Sequence, residues 1–373
     1  MELANLQGKE VVSTPFVSTL PSGRVPPSPA VEIIDPCTSS AWLEFIRTHP
    51  SAGIFHHPAW MTMLRDTYGY RMLAVCIFDG AKIIAGIPFA DVRSFITGRR
   101  WVSLPFSDYC EPLLPADDPQ CIDVLIRFLK AQQGAYANKI EIRWSIYPNE
   151  SIYTTHNFVL HTLALEKNSE AVFSRMDRQA VRNRVAKAPK AGIVVRECSC
   201  IEEFHHFFTL QLSTRRRLGV PAQPETFFNA LWKYILKPGL GFALLSFKDG
   251  VPIGGGVFLT FGSTVWFKYS ASDFKYKSMY PTHAYVWEAI RRSCVNGYRL
   301  FDFGRSDVNN TGLRLFKSGW GTVEHSLGYS IIANEEPQLH ASSRFDALTG
   351  FVIRHSPSLV CKVTGAMLYK HFA

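Results

Sequence analysis

Leu245-Ser246-Phe247-Lys248-Asp249-Gly250-Val251-Pro252-Ile253-Gly254-Gly255-Gly256-Val257 reads as two apolar strands joined by an Asp-Gly turn. Cys76-Ile77-Phe78-Asp79-Gly80-Ala81-Lys82-Ile83-Ile84-Ala85-Gly86-Ile87 states the same theme in the first half of the chain. Asp-Gly suits a two-residue hairpin because its central positions call for positive φ. The elements downstream of each hairpin come in one order. After the first, Asp118-Pro119 opens a helix with Ile122, Leu125, Ile126 and Leu129 on one face, ending near Gly134. Ile140, Ile142, Trp144 and Ile146 then alternate with Glu141, Arg143, Ser145 and Tyr147, as a strand does. After the second, Val265 to Ser270 form a strand, Pro281 opens a helix carrying Ala284, Trp287, Ile290 and Cys294, and Gly297 precedes a strand at Leu300. A hairpin, strand, helix and strand occurring twice predict an α/β (α+β) chain of two tandem domains on one plan, each a mixed β-sheet flanked by helices. The expected boundaries are a Ser/Pro-rich flexible leader over 1–30, a first domain over 31–165, a second over 166–335 and a basic helical extension over 336–373.

Length agrees with two cores, since 373 residues exceed one ordinary domain of roughly 150 residues. Forty Lys and Arg against thirty-one Asp and Glu leave a net charge of +9, which favours anionic partners. The eight cysteines contain no C-x-x-C pair, so they read as reduced core thiols of a cytoplasmic protein, with no metal framework. The N-terminal stretch lacks the basic and apolar segments of a secretory signal, and no run approaches the length of a bilayer span. The acid-free segment from Phe351 to Ala373 has Leu359, Val360, Val363 and Met367 at helical spacing, which suits packing on its own domain or peripheral contact with the inner face of a membrane.

The candidate site begins at Leu300-Phe301-Asp302-Phe303-Gly304-Arg305-Ser306. Phe301 and Phe303 alternate with Asp302 as a half-buried strand, Gly304 ends the run and Arg305 leaves the sheet end. In Asn309-Asn310-Thr311-Gly312-Leu313-Arg314-Leu315-Phe316-Lys317-Ser318-Gly319-Trp320-Gly321, Thr311 is expected to cap a short helix. Leu313, Phe316 and Trp320 would face inward while Arg314 and Lys317 share another side as an anion site. Two further basic segments lie upstream: a helix from Arg175 to Lys190 stopped by Pro189, and Thr214-Arg215-Arg216-Arg217-Leu218-Gly219 with Gly219 as C-cap. The first lacks the aromatic interleaving of a single-strand binder, and specific DNA binding is not expected. There is no G-x-S-x-G elbow, Gly-rich Lys-Ser/Thr loop or HExxH. Gly254-Gly255-Gly256, inside a strand, allows close backbone approach.

Several spaced motifs resemble one family. Arg182-Asn183-Arg184 with Ala188 and Gly192, Thr214 to Gly219, Tyr280-Pro281 before a helix, Phe301 to Ser306 and Phe316 to Gly321 together look like the FemAB-like (FemA/FemB/FemX-related) N-acyltransferases of the GNAT superfamily, over about residues 50–330. The resemblance implies two tandem GNAT-like domains, a role in cell-envelope or polysaccharide assembly, and transfer from acyl-coenzyme A or aminoacyl-tRNA, without a metal. The acceptor would be an amine of an anionic glycan or nucleotide-sugar precursor. It implies a catalytic Lys317, substrate contacts from Arg215, Arg216 and Arg305, and cleft positions for Asp108 and Tyr109; the residues themselves offer Asp108, Glu111, Asp302 and Asp307 as candidates for the base, with Asp108 put first, and Tyr269, Phe316 and Arg314 as further substrate contacts. The long heptad-patterned arm of the cell-wall branching enzymes is missing. The usual coenzyme A loop is matched only in part by Arg216 to Pro221, where Pro221 removes an amide. The alternative is a catalytically silent module that holds a phosphorylated glycan or a membrane partner in the same cleft.

Overall fold

The computed structural model describes residues 30–95, 98–118, 120–146, 152–335, 353 and 369–371. A first series of elements comprises β1 (Ala30–Ile34), α1 (Ser40–Thr48), α2 (Pro58–Tyr68), β2 (Arg71–Asp79), β3 (Lys82–Ser94), β4 (Gly98–Val102), α3 (Cys121–Gln132), β5 (Lys139–Ile142) and β6 (Ile152–Ala164). Helices α4 (Ser169–Ser174) and α5 (Asn183–Lys190) lead to a second series. It comprises β7 (Ile193–Glu197), α6 (Ile201–Leu218), α7 (Glu225–Leu231), β8 (Gly241–Lys248), β9 (Val251–Phe261), β10 (Thr264–Ser272), α8 (Pro281–Val295), β11 (Leu300–Asp307), α9 (Thr311–Ser318) and β12 (Val323–Ile332). Apart from α9, the second series repeats the first element by element.

The two mixed sheets are joined edge to edge as one, in the strand order β1-β2-β3-β4-β5-β12-β6-β11-β10-β9-β8-β7. The joint is an exchange. Strand β6, which closes the first series, pairs with β11 of the second (Phe301 beside Leu163). Strand β12 pairs with β5 of the first (Ile331 beside Glu141). β6 and β12 also pair with each other, from Val323 beside Thr162 to Ile332 beside Ile152, so each series completes the other's sheet.

In each series one parallel pair needs a helical crossover: α3 carries the chain from β4 to β5, and α8 from β10 to β11. The β10–β11 pairing runs from Thr264 beside Leu300 to Trp266 beside Asp302, and beyond it the strands splay. Each wall of the splay carries a bulge. One lies between Phe267 and Tyr269 on β10. The other lies between Asp302 and Arg305 on β11, where Gly304 takes φ +70°. Helix α8 sits close against β9 because of the glycine run: a Cβ on Gly256 would lie 2.8 Å from the Tyr285 ring.

Local expectations are corrected in several places. The strand after α3 stops at Ile142, because Arg143 turns aside to donate to the Ser107 carbonyl. The helix expected from Arg175 begins as a π-helical turn, Arg178–Arg182, capped by Asp177, and Pro189 stands in the last turn of α5. Helix α7 runs on directly into a π-helical turn, Trp232–Leu236. The leader, and the extension apart from 353 and 369–371, lie outside the described residues. Tyr369–His371 form a short turn on the first series, where the Tyr70 hydroxyl donates to the Lys370 carbonyl at 2.7 Å. No described helix is long and apolar enough to cross a membrane.

Candidate active site

The splay between β10 and β11 opens onto a cavity of about 220 Å³, lined mainly by Asp108, Lys268, Tyr269, Gly304, Arg305 and Lys317, with Phe316 and Leu313 at its edge. Four elements build it: the two bulged strands β10 and β11, α9, and the loop after β4, which reaches across from the first series.

That loop is pinned at both ends of a polar chain. Lys268 Nζ lies 3.0 Å from Asp108 Oδ2, and Arg305 Nε lies 4.0 Å from Oδ1. Arg305 donates to the Tyr329 hydroxyl, which donates to the Asp108 backbone carbonyl. Next along, the Trp266 indole N–H donates to the Tyr109 hydroxyl at 2.9 Å, and that hydroxyl donates to Asp302 Oδ2 at 2.7 Å. Asp302 Oδ1 accepts from the Gly304 amide at 2.6 Å, which fixes the bulge.

Lys317 lies across this bulge. Its ammonium donates to the carbonyls of Gly304 (2.8 Å) and Arg305 (2.9 Å), which leave the strand ladder there. Trp320 is buried and Phe316 packs on the core as expected, but the two carbonyls need a donor and draw Lys317 inward as well, against expectation. Lys317 is its buried residue, whereas Leu313 is 37% and Leu315 71% exposed. Asn310, not Thr311, caps the helix by accepting from the Leu313 amide, since its side chain reaches back while the Thr311 position already begins the turn.

Burial and mutual charge set the protonation states. Burial pushes the Asp108 carboxyl up, but Lys268 and Arg305 outweigh it and hold the group below the usual carboxylate range. Asp302, wholly buried, is pushed up to about 6 by desolvation against the opposing bonds from Tyr109 and Gly304. Burial pulls Lys317 down to about 8 in spite of the two nearby carboxylates, and it depresses Lys268 as well. Near neutral pH the cavity therefore holds an anionic Asp108 beside the Arg305 guanidinium and Lys268, with Lys317 within reach of losing its proton.

Of the residues singled out in the sequence, Lys317, Asp108, Arg305, Tyr269 and Phe316 line this cavity, and Tyr109 stands directly behind it. Arg215 and Arg216 sit in the last turn of α6, capped by Gly219 at φ +73°. Arg215 donates to the Pro221 carbonyl, and its charge reaches Tyr269. Arg314 forms a two-point pair with Glu324 and donates to the Val308 carbonyl, outside the cavity lining. Sequence reasoning missed Lys268, Trp266, Tyr329 and Arg143. Only Lys268 left a signal, as a lone cation in the apolar run from Val265 to Tyr269. The guanidinium groups of Arg143 and Arg305 both lie over the Tyr329 ring, at 5.8 and 5.5 Å, across the seam strands. Among the described residues, no group of three or more His, Cys, Asp or Glu side chains could hold a metal ion.

The sequence model of the "Acetyltransferase (GNAT) domain" matches residues 175–311, the stretch that contributes β10, β11 and the start of α9 to this cavity. Over these residues the chain is similar to a GNAT acetyltransferase domain. A curated protein similar to this chain is the lipid II:glycine glycyltransferase of Staphylococcus haemolyticus (strain JCSC1435), 29% identical over 113 residues. The match takes in 26% of this chain and 27% of that protein, so the chain spans about a quarter of its relative's length. Among solved structures, FemX superposes with a TM-score of 0.64 at 13% identity, over 80% of this chain and 96% of FemX. The C-terminal domain of a putative lysylphosphatidylglycerol synthetase from Agrobacterium fabrum gives 0.50 at 12% identity, over 84% of this chain and 95% of that one. The fold, with its paired series, is thus that of FemX.

Proposed function

We propose that this protein is an N-acyltransferase or aminoacyltransferase that moves an acyl group from a thioester or ester donor to an amine on an anionic glycan or nucleotide-sugar precursor. The observation that carries the reading is the cavity at the β10–β11 splay, where Asp108, Lys268, Arg305 and Lys317 converge between two bulges. Direct transfer needs no enzyme nucleophile. The amine nitrogen adds to the carbonyl carbon, a base takes its proton, and the bond to the leaving oxygen or sulfur breaks as that atom is neutralised. Asp108, ionised and inside the cavity, takes the amine's proton. Lys317 spends two N–H bonds on the Gly304 and Arg305 carbonyls and turns the third toward the charge developing on the oxyanion or leaving group. Arg305, with Arg215 and Arg216 beyond Tyr269, offers guanidinium groups to the acceptor's phosphates or carboxylates.

The relative's name, lipid II:glycine glycyltransferase, supports a lipid-linked glycan acceptor and an aminoacyl donor. The reading is tested by presenting labelled aminoacyl-tRNA and, separately, acyl-coenzyme A with a pool of lipid-linked and nucleotide-linked glycan precursors. Label entering the amine of a precursor is the expected result. Binding of precursor with no label transferred from either donor would make the chain a silent binding module instead.

A further inference from the structure

Beyond β10, a few residues past the cavity wall at Ser270, Phe274–Met279 form a 3-10 turn with no buried residue. Phe274 is 56% exposed and has two cations near its ring: the Arg217 guanidinium lies 5.0 Å and the Lys277 ammonium 5.2 Å from the centroid. Tyr276, Met279 and Tyr280 anchor the turn by packing on Ala188, Ala191, Ile193 and Ile253, which joins it to the end of α5. There Lys187 and Lys190 are exposed, and Arg184 lies 5.8 Å from the Tyr280 ring centroid. Leu218, 49% exposed, ends α6 beside Arg217. Arg184, Lys187, Lys190, Arg217, Lys275 and Lys277 therefore share one surface with exposed Phe274 and Leu218. The carboxylate next to the turn, Asp273, accepts from the Lys275 amide, and Asp177, ahead of α5, accepts from the Ala180 amide.

We infer that this surface, at the β7–β10 end of the sheet, docks on an anionic membrane, with Phe274 and Leu218 entering the headgroup layer and the lysines meeting acidic lipid. Charge complementarity selects an anionic partner, since each such cation favours an anionic bilayer and the apolar tips add burial. The ring geometry selects lipid over nucleic acid. Stacking on a base needs a free aromatic face, and over the Phe274 ring a base would compete with the Arg217 and Lys277 cations already there. The role is independent of the C-terminal extension and of any transfer step.

The test is co-sedimentation of the full chain with vesicles of phosphatidylcholine alone or with about a third phosphatidylglycerol, beside a filter-binding arm with bulk tRNA. Binding to the anionic vesicles is expected, with little to the neutral ones. It should weaken about tenfold or more in Lys275→Gln/Lys277→Gln and severalfold in Phe274→Ala, with circular dichroism and melting temperature unchanged. Lys187→Gln/Lys190→Gln should lose affinity without touching the turn, which covers the case in which the first variants fold poorly. Equal binding to neutral and anionic vesicles, unaltered binding by all three variants, or loss confined to the tRNA arm would each overturn the inference. No acyl donor is present, so a negative result leaves the transfer reading intact.

Discussion

Replacing Lys317 by methionine keeps the length of the side chain and removes its charge and donors. The native fold holds this ammonium at about 8, where an exposed lysine sits at 10.5, so burying the charge costs about 3 kcal/mol. Lys317→Met relieves that cost but leaves the Gly304 and Arg305 carbonyls without their donor, at about 1–3 kcal/mol each. The two effects oppose, and the melting temperature should move by only a few degrees. Turnover has no such compensation. Loss of a donor aimed at developing charge costs about 3 kcal/mol, so kcat should fall by about a hundredfold or more while KM changes little. The pH profile gives a second signature: wild-type turnover should decline as pH rises through about 8 and the ammonium loses its proton, and the variant should lack that limb. The stability sign is also fixed. With the native value depressed, the unfolded chain binds more protons between about 8 and 10.5, so this group makes wild-type stability rise across that window, and the variant loses the rise. Label transfer under single-turnover conditions and urea melts at several pH values measure all three. Turnover within threefold of wild type, with the limb near pH 8 retained, would refute the role given to Lys317.

Asp302 carries the opposite sign, because its carboxyl is pushed up to about 6 from 3.8. The native state holds the proton longer, so this group's contribution falls as pH rises from about 4 to about 6. Asp302→Asn should gain stability relative to wild type across that interval, approaching about 3 kcal/mol above it, and a constant gap in urea melts would contradict this. Tyr109→Phe removes the acceptor of the Trp266 indole N–H and the donor to Asp302 together. A loss of about 1–3 kcal/mol and a change in tryptophan fluorescence are expected, and an unaltered emission spectrum would count against the contact. Gly304→Ala places a Cβ at φ +70° and 3.0 Å from Asp108 Oδ2. It should cost about 1–3 kcal/mol in strain and lower turnover by displacing the carbonyls that seat Lys317, and wild-type activity in this variant would deny the bulge its part.

The chain points to a candidate site where chemistry and local pattern coincide. Gly304 between Phe303 and Arg305 announces a break in a strand, and Lys317 in a short helix just beyond it announces a cation near that break. The same reading gave Lys317 to the exposed face of α9, because helical spacing counts apolar residues and cannot see two backbone carbonyls released by a bulge on another element. Lys268, Trp266 and Tyr329 escaped for a related reason: their partners, Asp108 and Tyr109, come from the first series, about 160 to 220 residues away.

By itself the amino-acid sequence determined the duplicated plan, since Asp-Gly turns, two-residue alternation and helical periodicity are properties of neighbours along the chain. Tertiary structure alone decided that β6 and β12 change places at the seam, because any strand of suitable pattern pairs with either edge and only packing of the whole sheet selects one. That exchange and the reach of the Asp108 loop bring the first series to the splay of the second. The electrostatics of the cavity therefore belong to neither half of the sequence alone.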